Sequence, residues 1–229
     1  PRRHPTAART PPLPYAQPMS TASLPEGPRT PTDVDAVAER YVDRLAALSP
    51  EFAVSTGLPG ARDRLDGYSP EAADAFASLA RDTLAELDDA APVDDVDHVT
   101  VAAMRERLGV DLEMTETGET LRCLDNIASP VQGLRDGFDN RPTATAQDWA
   151  DFAACLRDVP RALSEYRESL TLAASRGDVA AARQVRAVIA QARDQAEESS
   201  SSYTALITGA ATADGAPVPD SLAADLAAG

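Results

Sequence analysis

The stretch LRCLDNIASPVQGLRDGFDNRPTATAQDW, residues 121–149, decides the fold because it carries two helix starts and the single tryptophan of the chain. Ser129 is a typical N-cap residue, and Pro130 occupies the first helical position, where a missing N–H costs little. Gln132, three residues after Ser129, can reach back and close a capping box. The stretch therefore predicts a short helix that begins at Pro130.

A second helix start follows within the same stretch. Thr145 and Asp148 repeat the spacing of a cap residue and its partner three positions later. Leu134 and Phe138 are four residues apart, so they share one face of the preceding short helix. Trp149 falls in the first turn of the second helix. We predict that neighbouring helices pack around these three apolar side chains and bury Trp149.

Outside this stretch, apolar residues recur at intervals of three and four, which is typical of amphipathic helices. The stripes are Val34, Val37, Tyr41, Leu45 and Leu48; Ala72, Phe76, Leu79, Thr83 and Leu87; Val101, Met104, Leu108 and Leu112; Trp149, Phe152, Leu156 and Val159; Leu163, Tyr166 and Leu170; and Ala182, Val185, Ile189, Ala192 and Ala196. Breaks between helices are expected near residues 57–67, 90–92, 118–129 and 140–145 and at Gly177. Pro160 is expected either to start a new helix or to kink the one that contains it.

The composition agrees with a helical fold. Hydrophobic residues make up 43% of the chain but aromatic residues only 4%, so the core must consist mostly of Ala, Leu and Val. Such side chains suit closely packed helices better than sheets, which favour β-branched and aromatic residues. No alternating strand pattern occurs. We therefore predict an all-α protein, an irregular multi-helix bundle.

The charge balance limits the possible partners. The net charge is −16, and every basic residue is Arg because the chain contains no Lys. This charge disfavours nucleic acid and anionic membranes as partners, and its simplest consequence is solubility. No apolar run is long enough to span a membrane, and the N-terminus lacks the apolar core of a signal peptide. We expect a cytoplasmic protein.

The chain divides into two segments of different composition. Residues 1–31 are rich in Pro, Ser, Thr and Arg, and we predict a disordered leader or tag, with Met19 as the first methionine. Residues 32–229 are predicted to form one helical domain. Ser221 caps a last helix that reaches only two turns before Gly229. An isolated helix of that length is marginal, so a truncated domain is expected.

Residues that could carry out chemistry are few. The nitrogen and sulfur ligands available to a zinc ion are His4, His98, Cys123 and Cys155, and their spacing matches no zinc motif. His98 lies beside the acidic run 94–97, which favours a solvated helix start over a loose metal site. The cysteines are interpreted as reduced, buried packing residues, with a redox pair as the alternative. No catalytic, cofactor-binding or metal-binding residue is assigned.

Several segments resemble a known family. They are YVDRLAALSPEFAVSTGLPG (41–60), RDTLAELDDA (81–90), VTVAAMRERLGVDLE (99–113), RDVPRALSEYRESL (157–170), AARQVRAVIAQ (181–191) and, as the most specific piece, NIASPVQGLRDGFD (126–139). The chain resembles bacterial domain-of-unknown-function family 885, a group of zinc-peptidase-like helical proteins. The resemblance covers residues 33–229 and corresponds to the front part of the family's domain.

The resemblance implies a function for the complete domain. It would be a largely helical, metallopeptidase-like hydrolase that uses zinc and acts, as a carboxypeptidase-like enzyme, on short peptides. The zinc motif of the family follows the matched part, so no ligand or catalytic Glu can be assigned here. This chain alone would form the cleft wall and be inactive. The alternative is a non-catalytic helical module that binds a protein or peptide partner.

Three residues in the most specific piece are candidates for contact with a substrate in the cleft. They are Asn126, Gln132 and Arg135. For Asn126 the structural alternative is that its side chain satisfies backbone groups of the loop, because buried polar side chains are usually paired in that way.

Overall fold

A computed structural model describes residues 29–197 and 199–228, and regular structure within these ranges is helical. The helices are α1 (Asp33–Leu48), α2 (Pro50–Thr56), α3 (Pro70–Asp89), α4 (Asp95–Glu116), α5 (Glu119–Arg122), α6 (Pro130–Asp139), α7 (Ala146–Ser175), α8 (Ala182–Ala196), α9 (Ser202–Ile207) and α10 (Asp220–Ala228). Extended backbone pairs within these ranges at a single bridge, between Ala211 and Pro217. The all-α prediction is confirmed. The predicted disorder of residues 1–31 falls almost wholly outside the described residues.

The two helix starts in the central stretch are as predicted. Gln132 Oε1 accepts a hydrogen bond from the backbone N–H of Ser129 at 3.0 Å, and α6 begins at Pro130. Thr145 and Asp148 form the second capping box. These side chains satisfy backbone N–H groups that the first turn of a helix leaves without partners. The boundaries of α6 and α7 follow from local sequence.

Three details differ from the sequence-based expectation. The predicted break at residues 118–129 contains a helical turn, α5, and the short helix α9 was not predicted. Neither has a side-chain cap, and each depends on distant contacts: Leu121 of α5 is buried, and Tyr203 of α9 packs edge-on against Phe138 with ring centroids 5.6 Å apart. Pro160 starts no new helix. Helix α7 continues through it, and the proline is exposed.

The buried face of α8 is also rotated from the prediction. Val188 is buried, whereas Ile189, which the stripe placed inside, is 44% exposed. The two residues are neighbours, so a rotation of about 100° around the helix exchanges them. Apolar residues occupy adjacent positions along this helix, so the segment that packs against the helix decides which of them faces inward.

The main core surrounds α7 and joins it to α6 and α10. Its buried members include Leu134, Phe138, Trp149, Phe152, Cys155, Leu156, Leu222 and Leu226. Trp149 is 6% exposed, and its indole N–H donates to the carbonyl oxygen of Ala211 at 2.9 Å. The predicted burial of Trp149 is confirmed.

A second, smaller core lies between α1, α3 and α4. Val34, Val37, Leu87 and Val101 form it, and the fully buried Asp97 lies at the start of α4 beside it. The Asp97 carboxylate accepts from the Val93 N–H at 2.9 Å and from the hydroxyl of Thr32, the N-cap of α1, also at 2.9 Å. The interpretation of residues 94–97 as a solvated helix start is therefore wrong for Asp97, although His98 is exposed.

Within the described ranges, no helix is both long enough and apolar enough to cross a lipid bilayer.

Candidate functional site

Two of the predicted cleft residues are brought together by a glutamine of α8. The Gln132 amide donates to Gln191 Oε1 at 2.7 Å, and the Gln191 amide donates to the backbone oxygen of Asn126 at 3.0 Å. The Asn126 side chain is exposed. The loop N–H groups of Ile127 and Ala128 are instead held by Asp125, so the proposed structural role of Asn126 belongs to its neighbour.

Arg135 lies one turn further along α6 and takes different partners. Its Nε donates to the Ser202 hydroxyl at 2.7 Å, and its Nη1 lies 2.9 Å from the Asp139 carboxylate. Arg135 therefore joins α6 to α9. Asn126, Gln132 and Arg135 follow the edge of α6, and none of them lines the apolar cavities of the fold. Their contact with a substrate stays a prediction.

A different part of the molecule offers a concave surface. Two cavities, of about 370 Å³ and about 340 Å³, adjoin each other because four residues line both of them. The shared residues are Ala73, Phe76, Met114 and Thr120. We call this surface the α3–α5 groove: α1, α3, α4 and α5 line its first cavity, and helices α3 to α7 with the loop before α3 line its second. Each cavity is in the size range of small-ligand sites.

The second cavity ends at polar residues whose hydrogen bonds are already made within the protein. The Tyr68 hydroxyl donates to Glu51 Oε2 at 3.0 Å, and the Ser169 hydroxyl donates to the backbone oxygen of Tyr68 at 2.7 Å. The Tyr166 hydroxyl donates to the backbone oxygen of Cys123. Burial raises the pKa of Tyr166 to about 12, so the phenol stays protonated at neutral pH. These contacts make this end of the groove a fixed wall.

A pair of carboxylates adjoins that wall: Asp66 lines the cavity, whereas Glu51 does not. Asp66 accepts from the Ser49 hydroxyl at 2.5 Å and from the Glu51 N–H at 2.9 Å. Burial raises the pKa of Asp66, and burial followed by the negative charge of Asp66 raises the pKa of Glu51. Glu51 Oε1 is buried without a hydrogen-bond partner among the described residues. Gly137 of α6 is close, since a Cβ there would lie 3.2 Å from that oxygen.

Helix α7 holds the loop that carries Asp66 and Tyr68. Asp158 accepts from the Leu65 N–H at 2.9 Å, and Glu165 accepts from the Tyr68 N–H at 2.9 Å. Arg161 lies between these two carboxylates and binds both, at 2.7 and 2.8 Å. The arrangement is a charged clamp that positions one wall of the groove from a rigid helix.

The residues of this wall were not identified from the sequence. The sequence predicts only a break between helices near residues 57–67, which includes Asp66 and Gly67, and assigns no functional role to it. Gly67 was the residue in the sequence that could have indicated this wall. A Cβ at that position would lie 2.9 Å from the Cβ of Ala72, so with any other residue the loop could not approach α3 so closely.

Within the described part of the chain, neither the cysteines nor the possible metal ligands form a recognisable reactive site. Cys155 is fully buried, as predicted, and burial raises the pKa of its thiol to about 12. Cys123 is half-buried, and both thiols are free. Within the described ranges, no three His, Cys, Asp or Glu side chains converge as a metal site would require. The described residues therefore do not fit a zinc ion, and the zinc expected for a complete family domain stays a prediction.

A family model described as "Bacterial protein of unknown function (DUF885)" matches residues 50–229. The chain belongs to this family. The match includes α2 to α10 and therefore most of the α3–α5 groove, whereas α1 and the first part of the resembling segment 41–60 precede it. No curated protein matches this DUF885 chain.

Proposed function

We propose that this DUF885 chain forms the wall of the substrate cleft of a metallopeptidase-like, carboxypeptidase-like hydrolase, and that the α3–α5 groove binds a short peptide. The observation that carries the proposal is the continuity of the two cavities across Phe76 and Met114. Two adjoining apolar cavities suit an extended chain whose side chains enter them in succession. Thr115, Thr120 and Ser69 supply hydroxyl groups at the same surface, where a peptide backbone needs polar partners.

The groove residues bind and orient a peptide in this proposal. No proton transfer is assigned to the described residues. Tyr68 and Tyr166 stay protonated because burial raises the pKa of each hydroxyl, and their hydrogen bonds to Glu51 and Cys123 hold them in place. Their role is to shape the groove and exclude water.

The alternative function is a non-catalytic module that binds a protein partner. The outer face of α4 supports it, because Val96, Val99 and Val110 are 53%, 68% and 41% exposed and line neither cavity of the groove. Their spacing places them on one side of the helix, as in a surface that pairs with a second amphipathic helix. The groove favours the first proposal, since it offers concave volume as well as apolar surface.

A blocking substitution tests the groove. Thr120 is exposed and lines both cavities, so Thr120→Trp places an indole in the passage between them without disturbing the core. Binding of an acetylated, amidated Ala-Leu-Phe-Leu-Ala peptide, followed by ligand-observed NMR, should weaken about tenfold, a loss of about 1.4 kcal/mol.

The control is Thr143→Trp, in an exposed loop outside the groove, which should bind like the wild type. If the unmodified protein does not bind the peptide, or if both variants bind it equally well, the groove is not the peptide site. A helical partner peptide that binds both variants but is lost in Val99→Glu would support the α4 surface instead.

A further inference from the structure

We propose that the α3–α5 groove selects peptides in which a basic residue adjoins an apolar one, and that Asp111 is the residue that recognises the positive charge. This inference rests on the proposed function of the groove and adds the class of substrate. It follows from which charged side chains line the groove and from which of them is free to bind.

The charged side chains that line the two cavities are both carboxylates. Asp111 of α4 lines the first cavity, and Asp66 lines the second. The remaining lining residues are apolar or neutral, and the chain has no Lys at all. A groove with carboxylates and no facing cation attracts a positively charged ligand and repels a negative one. The net charge of −16 acts in the same direction.

Only one of these carboxylates is open to a ligand. Asp66 already accepts from Ser49 and from the Glu51 N–H, and the positive charges of Arg141 and Arg161 offset its own. Asp111 is exposed, and no arginine of the described part of the chain forms an ion pair with its carboxylate.

The surroundings of Asp111 suit a long basic side chain. Tyr41, Leu45 and Leu108 line the same cavity and offer apolar surface beside the carboxylate. Lys and Arg can lay their methylene stems along such a surface while their charged ends stay in water. The Tyr41 hydroxyl lies close enough to Asp111 for the carboxylate to affect its pKa. Burial is the larger cause that raises this pKa, and the negative charge of Asp111 raises it further. A peptide cation can therefore reach both the carboxylate and the face of an aromatic ring.

The recognition of charge is tested with three matched peptides. They are acetylated and amidated Ala-Leu-Lys-Phe-Ala and its variants with Gln or Glu in place of Lys. The Lys peptide should bind about three- to fivefold more tightly than the Gln peptide, which is the size expected of one exposed ion pair, and the Glu peptide should bind most weakly. The preference should fade between about 20 mM and about 0.5 M salt, because the Debye length falls from about 20 Å to about 4 Å.

Asp111→Asn should remove the preference, so that the Lys and Gln peptides bind this variant with equal affinity. Asp89→Asn is the control, because it removes the same charge from the exposed end of α3 and lies outside the groove. Asp89→Asn should keep the preference. Circular dichroism of both variants confirms that each is folded before binding is compared.

The possible results separate this inference from the proposed function. If the Gln peptide binds in a Thr120-dependent way but the Lys peptide gains nothing, the groove is a peptide site and the role of Asp111 is wrong. An equal loss of preference in both Asp variants would trace the effect to net charge and would also overturn the role of Asp111. If none of the three peptides binds, the proposed function itself fails.

Discussion

The two cores of the molecule are built on different physical principles. The core around α7 contains aromatic rings in tilted contact: the ring centroids of Phe138 and Phe152 are 5.0 Å apart, and those of Trp149 and Phe152 are 5.3 Å apart. The described residues of the core between α1, α3 and α4 are aliphatic, and a buried carboxylate, Asp97, joins two helix starts beside it. Large aromatic area stabilises the first core, whereas the second also depends on hydrogen bonds.

The largest expected effect comes from removing an aromatic side chain from the α7 core. Trp149→Ala should lower the free energy of unfolding by about 3–5 kcal/mol, because it leaves a cavity and breaks the hydrogen bond to Ala211. The measurement is denaturant unfolding followed by circular dichroism, since the substitution removes the only tryptophan. Val99→Ala, at an exposed site on α4, is the control and should change little. A loss for Trp149→Ala below about one-third of the expected value would refute the aromatic core as the main stabilising region.

The second prediction concerns the hydrogen bonds beside the aliphatic core. Asp97→Ala removes the acceptor of the Val93 N–H and of the Thr32 hydroxyl. It should lower the free energy of unfolding by about 1–3 kcal/mol, the cost of leaving a buried polar group without its partner. Asp95→Ala removes a carboxylate from the same helical turn but from an exposed position. Equal losses in the two variants would mean that helix-dipole effects, and not the buried contacts, account for the stability.

The smallest effect is expected at Glu51, a buried carboxylate of the opposite kind. Asp97 has hydrogen-bond partners on both oxygens, whereas one oxygen of Glu51 has none among the described residues. Burial and the charge of Asp66 raise the pKa of Glu51, so its folded state holds the proton more tightly than the unfolded state does. The stability that results is fully present below the unfolded pKa and is lost as the pH rises through the folded pKa.

Glu51→Gln should therefore stabilise the protein at neutral pH, and this gain should shrink as the pH falls through the raised folded pKa and be absent below about 4.5, the ordinary range of a Glu pKa. Melting temperatures measured across this range check the prediction, with the exposed Glu39→Gln as the control. A variant that is less stable than the wild type at neutral pH would show that the Tyr68 contact outweighs the cost of the buried charge.

Local sequence predicted the elements whose starts it encodes. Ser129 with Gln132, and Thr145 with Asp148, set the beginnings of α6 and α7, because a cap acts within one turn of the chain. The burial of Trp149 was predicted from the same stretch, whereas the all-α class was predicted from the composition and the helical spacing of apolar residues. The fate of Pro160 was ambiguous, since whether a helix continues past a proline depends on what packs around it.

Contacts between distant segments decided the rest. Asp97 looks like an exposed member of an acidic run until Thr32, sixty-five residues away, approaches it. The α3–α5 groove joins residues of six helices and the loop before α3, and its side chains follow no single spacing. The sequence by itself determined where helices begin and which residues are apolar, since caps and periodicity are local. Only the tertiary structure decided which apolar faces meet and which one stays open as a groove, because that depends on how helices far apart in the chain pack together.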